Sequence, residues 1–236
     1  MKNSLKCILF SAVILAASCS AKTDVFIQPS GDAVVTIDIQ PSAVLDSLLE
    51  NVSGFTEEEK AENKSIFNTE EIKTQLEEKG VKVLSISTQS FAGITAKLKI
   101  TGDKMNDENS FVKIDMEEGA FLFEIKPDSI KEFVNILSAD DKEYIELLMA
   151  PVLTGEKLDG EGYIAVIKAA YGEKLAAELK KSMLKVSVTC PKKVRDISVK
   201  PFGKGQKNGN KAYANIPLVE VLCVNEPIFV EVTFIP

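Results

Sequence analysis

Residues 25–39 read Val-Phe-Ile-Gln-Pro-Ser-Gly-Asp-Ala-Val-Val-Thr-Ile-Asp-Ile. The short apolar run Val25-Phe26-Ile27 meets the turn cluster Pro29-Ser30-Gly31-Asp32. Val35, Ile37 and Ile39 then alternate with Thr36 and Asp38, the period-two signature of a half-buried strand. This stretch is a β-hairpin, and the same pattern recurs further along the chain. Ile94, Ala96, Leu98 and Ile100 repeat the alternation after Val81–Ile86. A further hairpin is expected from Phe111–Met116, the turn Glu117-Glu118-Gly119 and Ala120–Ile125. Near the end, Val186–Cys190, Ile197–Val199 and Ile228–Phe234 read as strands.

Helical spacing appears between these runs. Ser42 can cap a helix whose apolar residues are Val44, Leu45, Leu48 and Leu49. Asn68-Thr69 before Glu70-Glu71 opens a second helix, which Gly80 ends. Residues 56–65 and 102–110 are polar connections, and 203–210 (GKGQKNGN) reads as a glycine-rich turn. Between 128 and 185 the pattern is helical: Ile130, Phe133, Val134 and Leu137; then Tyr144, Ile145, Leu147 and Leu148; then, after a loop at 153–162, a long stripe from Ile164 to Met183. Strands before and after a helical block predict an α+β fold. An antiparallel sheet built from hairpins is expected, covered by helices, with residues 128–185 as a helical insertion in one domain spanning 19–236.

Residues 1–18 read as a lipoprotein-type signal peptide. Lys2 and Lys6 supply a positive start, and Cys7–Ala17 is an apolar stretch of signal-peptide length. It is shorter than the ~20 apolar residues a transmembrane helix needs. Leu15-Ala16-Ala17-Ser18-Cys19 resembles the bacterial lipobox, with Leu15 one position earlier than the usual leucine. Cleavage before Cys19 would leave that cysteine N-terminal and lipid-bearing. The alternative is an ordinary secretory cut with Cys19 incidental. The expected location is the cell-envelope membrane, held by lipid on its periplasmic or surface side.

Composition narrows the chemistry. The chain of 236 residues contains no histidine and no tryptophan, and Arg195 is its only arginine. Ser-His-Asp and Cys-His nucleophile systems, His-ligated zinc and haem histidine are therefore excluded. Lys+Arg is 28 and Asp+Glu 35, a net charge of −7 that becomes −9 once Lys2 and Lys6 leave with the signal. That balance argues against a nucleic-acid partner and predicts repulsion from anionic lipid. With no polybasic patch expected, attachment would depend on the acyl chains.

The hairpin 25–39, the passage Gly80-Val81-Lys82-Val83, Phe91–Leu98, Val186–Pro191, Lys207–Tyr213 and Ile216–Leu222 together resemble the LppM-like bacterial lipoprotein domain. The resemblance covers about residues 19–236 except the helical block. It implies an envelope-anchored domain with a lipid- or glycolipid-binding role, and no binding residue carries over.

Export permits a disulfide between Cys190 and Cys223, worth roughly 3–4 kcal/mol on the chain-entropy model. Two buried thiols are the alternative. Neither Gly203-x-Gly205 nor Gly209 has the strand–turn–helix setting of a phosphate loop. Asp103–Ser110 lacks EF-hand spacing, so no metal or cofactor is expected. A helical lid over the sheet would leave an apolar cleft, with Phe121, Phe123, Phe133 and Tyr144 as its walls. The resulting expectation is a non-enzymatic, lipid-anchored envelope lipoprotein that binds an apolar or lipid ligand or an envelope partner. The alternatives are an adhesin-like surface interaction module and a histidine-free hydrolase.

Overall fold

The computed structural model describes residues 19–52, 65, 67–78, 80–105, 112–127 and 156–236. The fold is α+β, with eleven strands among the described residues arranged in two sheets. The larger contains β1 (Cys19–Ile27), β2 (Ala33–Pro41), β3 (Lys82–Thr88), β4 (Ile94–Ile100), β7 (Met183–Thr189), β9 (Lys204–Asn208) and β10 (Lys211–Pro217). Its order is β3-β4-β2-β1-β7-β10-β9, so β1 is central with three strands on each side. The smaller has β5 (Val112–Asp115), β6 (Ala120–Ile125), β11 (Ile228–Phe234) and β8 (Val194–Lys200), in the order β5-β6-β11-β8.

Two features differ from the single antiparallel sheet expected. The strands divide between two sheets, and β7 joins the free edge of β1 in parallel, pairing Ala21 with Leu184 and Val25 with Val188. The remaining pairs are antiparallel. A tight turn forces antiparallel pairing, but β7 arrives from far along the chain and is free of that constraint.

Alternation sorts each strand into a buried and an open face. One inner row of the large sheet runs Ala96, Ile37, Thr23, Val186, Ala214. All five are under a tenth exposed. Thr23 Oγ1 is buried with no hydrogen-bond partner, a desolvation cost of about 1–3 kcal/mol that the surrounding apolar burial offsets. The inner rows of the small sheet are Ile114, Phe121, Val232, Ile197 and Val112, Phe123, Val230, Val199. Both inner faces belong to one hydrophobic core.

Helices α1 (Ala43–Val52) and α2 (Thr69–Glu78) begin and end as their sequences predict. Leu45 N donates to Ser42 Oγ at 3.2 Å, and Glu71 N donates to Asn68 Oδ1 at 3.2 Å. Gly80, at φ 79°, follows α2, and its N–H reaches Glu77 O at 2.9 Å. The turn α3 (Gly102–Met105) follows β4, and α6 (Leu218–Leu222) grows from the end of β10.

The long helix expected over 164–183 is two helices, α4 (Gly160–Tyr171) and α5 (Glu173–Lys181). Gly172 separates them at φ 90° and ψ 170°, outside helical space. The helix α4 also starts inside the loop expected at 153–162, where Asp159 Oδ1 accepts from Gly162 N at 2.8 Å. Met183 opens β7 and does not continue the helical stripe. The earlier part of the helical block, 128–155, lies outside the described residues, as do the signal peptide and most of 56–65.

The glycine-rich turn expected at 203–210 is mostly strand β9, and Gly209-Asn210 alone turns it into β10. Gly203 and Gly205 answer to crowding, whereas Gly209 takes the positive φ of the turn, 61°. A Cβ on Gly203 would lie 2.6 Å from Val199 Cγ1 and 2.9 Å from Asn215 O, and one on Gly205 would lie 3.1 Å from Ile197. Here the two sheets meet, and glycine lets them close.

Candidate functional site

Cys19 is the first residue of β1 and pairs with Pro41. The strand therefore includes the cysteine before which cleavage is expected. Pro41, Met183 and Pro217 share this end of the large sheet. Among the described residues, no helix is long and apolar enough to cross a membrane.

Phe121 and Phe123 belong to the core rather than to an apolar cleft under a helical lid, although Phe121 also borders the larger groove described below. They are 1% and 3% exposed and point into the core of the small sheet. Their i, i+2 spacing puts both on the same strand face, and that face is covered. Phe133 and Tyr144 lie outside the described residues. Open grooves are present among the described residues. One, of about 1030 Å³, crosses β5, β6 and β11, with Lys113, Asp115, Leu122 and Glu231 in its lining and Gly31 and Gly102 at one side. Another, of about 460 Å³, lies between α1 and the α4–α5 junction, lined by Val44, Leu48, Tyr171 and Leu175 among others.

Cys190 and Cys223 are free thiols, so the disulfide reading is corrected in favour of two buried thiols. Cys190 N donates to Asn210 O at 2.9 Å, next to the start of β10. Cys223 follows α6, beyond the other end of β10. Seven residues of strand separate those ends by about 23 Å, and a five-residue helix recovers only about 7.5 Å. A disulfide needs Cα atoms within about 7 Å. Burial pushes the Cys190 thiol up to about 11. Burial and then the Glu220 carboxylate push Cys223 to about 12, and its Sγ donates to Val219 O at 3.0 Å. Neither forms thiolate near neutral pH. In the folded protein neither Cys190 nor Cys223 should react with a maleimide within minutes, while both should react in denaturant. Prompt native labelling of either would contradict this burial, and intact mass reads the outcome.

Tyr163 is fully buried, and burial holds its phenol well above the ordinary value. Burial and the neighbouring Asp159 raise the Glu220 carboxyl, and Asp159 is itself the cap of α4. Among the described residues no group of three or more His, Cys, Asp or Glu could hold a metal. Asp103 of the polar stretch 103–110 is on α3, and 106–110 lie outside the described residues.

The open face of the large sheet is the feature that sequence order hides. Across the strands, one row reads Lys82, Lys99, Val34, Phe26, Thr189, Lys211, Asn208. The next reads Ser85, Lys97, Thr36, Asp24, Ser187, Tyr213, Gln206, and the third Ser87, Thr95, Asp38, Lys22, Lys185, Asn215, Lys204. Seven lysines thus share this face with Asp24 and Asp38. Lys22 pairs with Asp24 at 2.6 Å, and Lys99 with Asp32 of the adjoining turn at 3.2 Å. The other five have no ion pair among the described residues. Phe26 and Tyr213, 49% and 37% exposed, stand among them. The expectation that the chain has no polybasic patch is therefore corrected. No run of lysines carries this face; strand register assembles it from positions 22 to 211.

Comparisons of the chain with protein-family models, with characterised proteins and with solved structures return no match.

Proposed function

We propose that this chain is a non-enzymatic, lipid-anchored cell-envelope protein, held in the membrane through an acylated Cys19 and acting by binding. The observation that carries the reading is the start of β1 at Cys19, the residue before which the lipobox-like segment would be cut. A fold that begins at its acylated residue has no linker and would be held directly against the bilayer.

The bound species is a lipid or glycolipid, or an envelope partner, taken up on an open surface. An enclosed apolar pocket gains no support from Phe121 and Phe123, whereas the open sheet face favours surface binding. The resemblance to the LppM-like domain adds a reason to look among lipids.

Cys19→Ser tests the anchor. The wild-type protein should sediment with membranes and need detergent for release. The variant should lose its processing, keeping residues 1–18, or appear in the soluble fraction. A Cys19→Ser protein that is processed normally and still needs detergent would sink the anchor.

A further inference from the structure

The open face of the large sheet is a charge anomaly. Its seven lysines meet three carboxylates, counting Asp32 at the rim, in a chain whose net charge is −7. The rest of the molecule is correspondingly more acidic than its average. Such a separation orients a protein in the field of a charged surface. The face is also broad. Lys99 on β4 and Lys211 on β10 are four strand spacings apart, about 19 Å. Positive charge is spread over a plane wider than any one small anion could cover.

We propose that this sheet face lies on the anionic headgroups of the bilayer that holds the lipid anchor. The proposal rests on the anchored reading and adds an orientation to it. Charge complementarity selects an anionic surface. The position of Cys19 selects a membrane over other polyanions: it starts the central strand, and Lys22 follows about 10 Å along that strand. An acyl chain leaving Cys19 keeps the lysines within reach of headgroups. Tyr213 is of the aromatic type that sits at the depth of lipid headgroups, and Phe26 adds an exposed apolar ring on the same face. The small sheet and the helices would then face away from the membrane, the acidic remainder of the surface pointing outward.

The test uses the acylated protein reconstituted in vesicles, one set of phosphatidylcholine and one of phosphatidylcholine with phosphatidylglycerol. Amine-reactive footprinting reads each lysine. On the anionic vesicles Lys97, Lys185 and Lys211 should label at least about fivefold more slowly than on the neutral ones, and 0.5 M salt should remove the difference. Lys168 and Lys174 on the helices should label alike on both. The combined variant Lys97→Glu, Lys185→Glu, Lys211→Glu should lose the protection of Lys204 while still floating with neutral vesicles. These side chains are exposed, and the wild-type footprint stands as a second reading if the variant folds poorly. Equal labelling of the face on both vesicle sets would overturn the proposal. So would protection of the same lysines by a DNA duplex with none by anionic vesicles. Flotation with neutral vesicles reports the anchor alone. Failure there, with salt-sensitive flotation on anionic vesicles, would remove the anchor and support the face.

Discussion

Phe121→Ala should lower the stability of the folded protein by about 3–5 kcal/mol. Phe121 is 1% exposed and sits mid-row between Ile114 and Val232, themselves 3% and 1% exposed. Removing the ring deletes buried apolar area and leaves a void that paired strands on both sides cannot collapse to fill. A domain of this size is stable by only about 5–15 kcal/mol, so the loss would be a large share of the total. Urea unfolding measures it, with the midpoint falling and the slope unchanged. The experiment also separates two readings of the residue. A side chain lining an open ligand cleft would lose less than about 1 kcal/mol on truncation. That smaller result would restore the cleft and contradict the packing of Phe121 in the core.

The second large effect is expected at Gly119→Ala. Gly119 closes the turn between β5 and β6 at φ 68°. A left-handed conformation costs a residue with a Cβ about 1–2 kcal/mol. The greater cost is steric, because the new Cβ would lie 2.2 Å from Phe234 O and 3.1 Å from its carbonyl carbon. That contact is with backbone, which no rotamer change relieves. Phe234 N donates to Gly119 O at 2.7 Å, so the turn and the end of β11 must separate together. The total loss is about 3 kcal/mol or more, which for a domain of this size lowers Tm by roughly 6–12 °C. A Tm within about 2 °C of wild type would show that the turn and β11 do not meet this closely.

The sequence shows the fold wherever burial is written in large aliphatic side chains. The β1–β2 hairpin and strands β4, β6 and β11 place Val, Ile, Leu and Phe at every second position, and burial follows that period of two. Strand β10 is hidden because it buries Ala212 and Ala214, which carry little hydrophobic signal. Strand β9 is hidden because every residue in it is exposed and its glycines suggest a turn. They answer instead to Val199 and Ile197 of a strand in the other sheet, a contact that no local pattern records. Gly172 is visible as a helix weakness, but the φ of 90° with which it ends α4 and begins α5 is not. The candidate site divides the same way. The expectation for Cys19 comes from its neighbours in the chain. The lysine face needs the register of seven strands, since its members are scattered from Lys22 to Lys211 and only pairing makes them neighbours. Net charge alone points away from an anionic surface, because a sum over the chain carries no information about which side each charge occupies.

The central claim is that Cys19 is the acylated first residue of the mature protein. Intact and N-terminal peptide mass spectrometry of protein extracted from native membranes tests it directly. The account predicts a chain that begins at Cys19, lacks residues 1–18 and carries a diacylglyceryl group on its sulfur. A mature chain that starts elsewhere, or one that begins at Cys19 with a free thiol and no lipid, would contradict it.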